Sequence, residues 1–210
     1  MAHAATRIIR AEHAALKAVL LRLQLVLSHH RDAGTLPDFG DLRVMLFYID
    51  EFPEKLHHRK ETDVLFPKLR ACAPGLRHLM DRLDNEHVRG EYNIRQVEHA
   101  LLAFEVMGVT RRDAFERALG RFTDFYFDHM ELEEREILPL AETLLQDADW
   151  LELDAAFASH HDVLAGGEPT HEYEALFTRI FSVFPDRYLP EALQARQARG
   201  GCQPEKEGHP

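Results

Sequence analysis

Cysteine is scarce in this sequence, which has only Cys72 and Cys202 among 210 residues. Two cysteines do not build a disulfide framework, and there is no Cys-x-x-Cys spacing for a zinc or redox motif. The first residues also contain no long apolar run of the kind that a secretory signal needs. These absences favour a reducing compartment, and we expect a cytoplasmic protein.

A basic surface and a membrane-length apolar run are missing as well. The formal net charge is -11 and the pI is about 5.7, whereas nucleic-acid binding requires a positive patch. The most apolar stretch, AALKAVLLRLQLVL, is interrupted by Lys17 and Arg22, and it is shorter than the roughly 20 residues that cross a bilayer. We expect neither a nucleic-acid partner nor a membrane partner.

Period-two alternation, which marks a half-buried strand, is absent too. Apolar residues recur at spacings of three and four, and they predict long helices at about 4–31, 38–72, 76–107 and 110–146. Long helices with short connections form an up-down-up-down four-helix bundle, so the predicted fold class is all-α.

Capping and breaking residues refine these helices. Asp38 and Thr110 are the predicted N-caps of the second and fourth helices, and Asp113 completes a capping box with Thr110. Gly108 is the expected C-terminal stop of the third helix. Pro53 removes one backbone hydrogen bond from the second helix and should kink it.

Two short helices are expected after the bundle. One covers about 150–159 behind an Asp149 cap, and the other covers about 170–184. The tail beyond them has the composition of a disordered segment. The chain therefore divides into a bundle, a helical extension and a disordered tail, at residues 4–146, 147–188 and 189–210.

Histidine is what the sequence has in excess, with 14 residues. The tripeptides AEH and NEH repeat 74 residues apart in the first and third helices. The segments HHRKETDVLFP and HMELEEREILP align without a gap 72 residues apart. The chain is thus two copies of one helical hairpin, each with a lone His and then a His-x-x-x-Glu pair. The six residues are His13, His57, Glu61, His87, His129 and Glu133.

The positions of the four histidines along their helices predict a common layer. The first helix continues for about 18 residues beyond His13, which is about 27 Å, and the second helix takes about 18 residues to reach His57. The numbers of residues between each histidine and the connecting loop are also similar for His57 and His87, and for His87 and His129. Four imidazoles and two carboxylates in one layer make a site for two divalent ions such as iron or zinc. A ferritin-like site would instead use Glu-x-x-His pairs and more carboxylates.

Four successive helices carry, in order, a lone His, a His-x-x-x-Glu pair, a second lone His and a second His-x-x-x-Glu pair. In this order the sequence resembles the hemerythrin-like, or HHE cation-binding, family over residues 4–146. The resemblance implies a non-haem site with two iron ions, two bridging carboxylates and terminal histidines. Carried over to this chain, His13 and His57 serve one ion, His87 and His129 serve the other, and Glu61 and Glu133 bridge. Zinc or another divalent metal is a substitute for iron.

Two positions depart from the oxygen-carrying members of the family. They have a further His four residues after the third-helix His, where this chain has Glu91, and they space the fourth helix as His-x-x-x-x-Asp. Glu91 is either a seventh metal ligand or a solvated residue that pairs with Arg95 at i+4. The departures point away from simple reversible oxygen carriage.

Neighbours of the six residues have predicted roles of their own. Asp50 and Glu54 are candidate acceptors that orient His57. His58 is rotated away from His57 on an α-helical wheel, so we expect it to be exposed. Tyr126 either hydrogen-bonds an oxygen at the metal or packs with Phe122 in the core.

Glu12 and Glu86 precede the lone histidines and lie about 100° from them on the helix. They are expected at the surface or just outside the metal ligands. No catalytic residue is assigned from the sequence.

Three classes of function fit this pattern. The leading one is a cytoplasmic non-haem di-iron protein that binds or reacts with dioxygen or a related small oxidant. The second is an oxidoreductase that consumes peroxide or nitric oxide at the same ions. The third is an iron-storing or zinc-stabilised bundle without catalysis. The first two share the same residues and both stay open at this point, as does assembly into a homodimer.

Overall fold

The computed structural model describes residues 3–159, 162–167 and 171–183, and regular structure in these ranges is entirely helical. Helix α1 is Ala4–Asp32. Helix α2 is one continuous run made of Phe39–Ile49, Asp50–His57, His58–Lys60, Glu61–Leu65 and Phe66–Cys72. Helix α3 is Arg77–Met107, and helix α4 is a run of Arg112–Leu132, Glu133–Ile137 and Leu138–Leu144. Helices α5 (Asp147–Ser159) and α6 (Glu174–Val183) follow. The predicted all-α bundle is confirmed.

The ends of these helices agree with the capping predictions in part. Asp38 caps α2, because its carboxylate accepts from the backbone N–H groups of Gly40 at 2.7 Å and Asp41 at 3.2 Å. Gly108 follows α3 with a φ of 73°, in the left-handed region that glycine adopts most easily. The Thr110 cap is wrong. Thr110 lies in a 3₁₀ turn, Gly108–Arg111, where its hydroxyl donates back to the Met107 carbonyl.

Three stretches of α2 and α4 are π-helical rather than α-helical: Asp50–His57, Glu61–Leu65 and Glu133–Ile137. The first contains Pro53, whose ring leaves no N–H for an α-helical bond. The other two are related by the internal repeat, and each is followed by a proline near the start of the next α segment. The disturbance expected at Pro53 is therefore a π-helical stretch, whose turns are wider than α-helical turns. Each hairpin of the repeat has one further π-helical stretch.

Each repeated π segment begins at a glutamate of the His-x-x-x-Glu pair. The Phe66 N–H donates to the Glu61 carbonyl, and the Leu138 N–H donates to the Glu133 carbonyl, in both cases across five residues. A π turn carries more residues than an α turn and is common at functional sites. The two hairpins thus have the same backbone irregularity at equivalent glutamates, Glu61 and Glu133.

The apolar core is divided into two clusters by a polar layer. Along α1, Ile9 belongs to one cluster and Leu16 to the other, and His13 lies between them. Along α3, Leu83 and Ile94 belong to different clusters in the same way, and His87 lies between them. Both helices therefore cross a polar layer before their midpoints, with apolar packing on both sides.

The residues after the bundle pack against both clusters. Trp150, Leu153 and Phe157 of α5 join the cluster around Ile9, and Val163–Ala165 and α6 join the other one. Helix α5 begins at Asp147, earlier than predicted. Asp149 lies in its first turn and accepts from the Gln146 N–H at 3.1 Å.

Thr170 and Phe184, the predicted bounds of the second short helix, lie outside the described residues, and so does the predicted tail 189–210. Within the described ranges, no helix has both the length and the apolar character that a membrane span requires.

Asp162 ties the segment after α5 to the bundle. It is 4% exposed, and its carboxylate accepts from the Tyr48 hydroxyl and, at 2.8 Å, from the Leu164 N–H. Its own N–H donates to Glu12 at 3.2 Å. Burial raises the pKa of Asp162 to about 7. Because Tyr48 and Asp162 are both buried, neither has water as a substitute partner.

Replacing Tyr48 with Phe should lower the free energy of unfolding by about 1–3 kcal/mol, since a buried carboxylate oxygen loses its donor. Urea denaturation followed by circular dichroism measures this change. The matched control is Tyr92→Phe, because Tyr92 is 64% exposed, and its expected change is within about 0.5 kcal/mol. Equal effects of the two substitutions would contradict a structural role for the Tyr48–Asp162 bond.

Candidate metal centre

The polar layer brings together the six residues of the repeated pattern. They form two overlapping groups, and within each group the potential ligand atoms lie within 4.8 Å of one another. All six residues are buried. The first group is His13, His57, Glu61 and Glu133, and the second group is Glu61, His87, His129 and Glu133. The predicted convergence is therefore present, and the two glutamates belong to both groups.

Each of the two glutamates faces both groups. Glu61 has Oε1 at 3.3 Å from His57 Nε2 and Oε2 at 3.5 Å from His87 Nε2. Neither approach has hydrogen-bond geometry, and both oxygens of this fully buried carboxylate are without a hydrogen-bond partner among the described residues. A buried carboxylate is costly unless it is paired or holds a metal.

Glu133 repeats this arrangement from α4. Its Oε2 lies 3.3 Å from His13 Nε2, and its Oε1 lies 3.3 Å from His129 Nε2. Its two oxygens are also buried without a hydrogen-bond partner. Burial alone would raise the pKa of Glu133, but the neighbouring His129 and His13 hold the pKa well below its ordinary value. The carboxylate is thus kept in the charged form that binds cations.

The histidines have acidic partners at their outer nitrogens. His57 Nδ1 is 2.7 Å from Glu12, and His129 Nδ1 is 3.0 Å from Glu86. A carboxylate that accepts from Nδ1–H leaves Nε2 with its lone pair toward the site. Glu12 and Glu86 therefore lie just outside the predicted ligands, one of the two locations expected. The proposed orientation of His57 by Asp50 or Glu54 is wrong, because Glu12 holds that position.

The other two histidines follow the same rule with a variation. His13 Nδ1 is 3.0 Å from Glu134. Thr62 is the repeat equivalent of Glu134, and its hydroxyl accepts from His87 Nδ1–H at 2.9 Å and donates to Asp84, also at 2.9 Å. The carboxylate that position 62 lacks is thus supplied by Asp84 on the next helix. No pattern in the sequence pointed to this relay.

The carboxylates of the layer raise the pKa values of two of its histidines. Burial would lower the pKa of His57, but Glu61 and Glu12 outweigh it and raise the pKa to about 10. The pKa of His129 is also raised, because Glu133 and Glu86 outweigh its burial. Protons and metal ions compete for such rings, so a bound cation would replace these protons.

His58 was expected to be exposed, and this expectation is wrong. It is 4% exposed and stacks on His87 with ring centroids 4.2 Å apart. It also forms a third potential ligand group with His87 and His129. Burial and the neighbouring His87 hold its pKa well below the ordinary value. The prediction failed because a turn of about 100° from His57 does not by itself bring a side chain to the surface; His87 of α3 and Tyr126 of α4 lie against the His58 ring and cover it.

A buried Tyr–Glu pair lies next to His58. Tyr126 packs on Phe122, which is one of its two predicted roles. Its hydroxyl donates to Glu54. Burial raises the pKa of Glu54 to about 8, although this hydrogen bond opposes the rise. Both side chains press against the α3 backbone at Gly90, where an added Cβ would collide with the Tyr126 hydroxyl and lie 2.8 Å from Glu54 Oε2.

The structure does not bring Glu91 into these groups. Its side chain is exposed, and it lines a pocket of about 620 Å³ whose wall also includes Glu54, His58, Thr62 and His87. The pocket is open to solvent on one side and reaches residues of the second group on the other.

Comparison with known proteins agrees with this site. A family model for the hemerythrin HHE cation binding domain matches residues 4–141, while a search of curated proteins found no match. The matched range contains all six residues of the repeated pattern and most of the four long helices. The chain therefore belongs to the hemerythrin HHE cation-binding domain family.

Proposed function

We propose that this protein is a cytoplasmic non-haem di-iron protein that binds or reduces dioxygen or a related small oxidant. The observation that carries the proposal is the pair of glutamates shared by two ligand groups, with all four carboxylate oxygens buried and, within the described part of the chain, without hydrogen-bond partners. In this proposal His13 and His57 hold the first ion, His87 and His129 hold the second, and Glu61 and Glu133 bridge them.

The ligand chemistry supports iron. Each group offers two imidazoles and two carboxylates, a mixture of nitrogen and hard oxygen donors that suits iron and also accommodates zinc. A structural zinc site is normally closed by four ligands of its own, whereas these two groups share two of theirs. When bound, a pair of iron ions supplies electrons to an oxidant by passing between the ferrous and ferric states.

The protein would keep its own charges balanced around such a pair. The outer carboxylates each have a cation nearby: Lys60 is 3.3 Å from Glu12, Arg82 is 2.7 Å from Glu86, and Lys17 is 3.1 Å from Glu134. Among the described residues, Glu61 and Glu133 pair with histidines and with no lysine or arginine. Positive charge within the layer is therefore left for metal ions or protons to supply.

A small cavity supports the preference for small oxidants. It has a volume of about 10 Å³ and lies beside His13 and His57, with Leu16, Phe52, Leu56 and Met130 among its lining residues. Such a volume holds about one water-sized molecule. We infer that the space beside the first ion admits only a diatomic or similarly small molecule; Glu12, Lys60 and Asp162 also line it.

Glu61→Gln and Glu133→Gln should each reduce iron binding from two ions to less than one per chain, because each glutamate would serve both ions. The measurement is elemental analysis after anaerobic loading with ferrous iron and removal of excess metal. The matched control is Glu131→Gln, since Glu131 is 68% exposed and lies two residues before Glu133. It should keep both ions. Retention of one tightly bound ion in either variant would contradict bridging.

The iron-loaded protein, prepared anaerobically in the ferrous state, should change its visible absorption when it is mixed with dioxygen, peroxide or nitric oxide in a stopped-flow instrument. Zinc-loaded protein is the control, and it should not change because zinc has no redox chemistry. Fast turnover of peroxide or nitric oxide would favour the oxidoreductase alternative. Far more than two irons per chain would indicate storage, and indifference to all three oxidants would indicate a structural metal.

A further inference from the structure

We infer that His58 is a third imidazole ligand of the second ion, so that the two ions have different ligand sets. The inference rests on the proposed function, because it assumes an ion between the residues of the second group. It assigns His58, His87 and His129 to one ion, and it leaves the other ion with His13 and His57 as its only imidazoles.

The first support is the placement of the His58 ring. A ring nitrogen of His58 lies within 4.8 Å of ring nitrogens of both His87 and His129. His58 Nδ1 is buried and without a hydrogen-bond partner, although Glu54 Oε2 is 3.3 Å away. Burying an imidazole costs free energy unless its nitrogens are paired; an ion at Nε2 would leave the proton on Nδ1, where Glu54 can accept it.

The second support is that His58, like the other four histidines, has an acidic neighbour. Each of those four has its outer nitrogen beside a carboxylate, directly or through Thr62. For His58 the neighbour is Glu54, which the Tyr126 hydroxyl holds in place. With Nδ1 beside Glu54, the nitrogen left for an ion is Nε2. His58 is therefore surrounded like a metal ligand and unlike an ordinary core residue.

The third support comes from the internal repeat. The residue equivalent to His58 in the second hairpin is Met130, which is 1% exposed and lines the small cavity beside His13 and His57. Both hairpins thus direct this position into the layer, but only the first hairpin supplies a nitrogen. A thioether is a soft, weak ligand for iron. At this position the repeat therefore gives the second ion an imidazole, His58, and gives the first ion a thioether, Met130.

The test uses protein loaded with Co²⁺, which makes the N–H protons of ligating histidines visible as strongly shifted, exchangeable proton NMR signals. Wild-type protein with two Co²⁺ ions should show five such signals. His58→Met introduces the residue that the second hairpin already has at this position, and it should show four signals. The variant should also bind its second Co²⁺ at least about tenfold more weakly in a titration.

His99→Met is the matched control, because His99 is exposed on α3, and it should keep five signals. Two bound ions with four signals in wild type, or an unchanged count in a folded His58→Met variant, would overturn the assignment of His58 and leave the di-metal proposal intact. Fewer than two ions in wild type would overturn both. If His58→Met does not fold, the number of signals from the wild-type protein decides: five signals support the assignment of His58, and four overturn it.

Discussion

The structure depends on how two buried carboxylates are compensated at the centre of a helical bundle. Glu61 and Glu133 are fully buried, and they are surrounded by imidazoles without forming hydrogen bonds. Apolar clusters lie on both sides of them, so water cannot screen the two negative charges. Cations are the natural complement of such a layer, and membership in a cation-binding family agrees with this.

Internal duplication explains how one chain builds this layer. Two hairpins with the same order of histidines and glutamates meet, and each contributes two histidines and one glutamate. The duplication extends to the backbone, since Glu61–Leu65 and Glu133–Ile137 are both π-helical. It also extends to the outer carboxylates Glu12 and Glu86, which hold equivalent histidines. A geometry that satisfies one half of the site therefore satisfies the other.

Departures from the repeat are where the two halves acquire different chemistry. Position 62 is Thr where the other hairpin has Glu134, and Asp84 completes the hydrogen bond. Position 58 is His where the other hairpin has Met130. The helices after the bundle add another asymmetry, because Asp162 contacts Glu12 and has no counterpart beside Glu86 among the described residues. Differences of this kind are how a duplicated site makes its two halves inequivalent.

The sequence alone determined the fold class, the four long helices and the six converging residues. These follow from helical periodicity and from spacing along single helices, which are local properties of the chain. Only the tertiary structure decided that His58 is buried, that Glu91 faces solvent, and that Asp84 and Asp162 reach their partners. Which helices cover a side chain, and which distant residues it contacts, depend on how the helices pack, and local periodicity does not encode that packing.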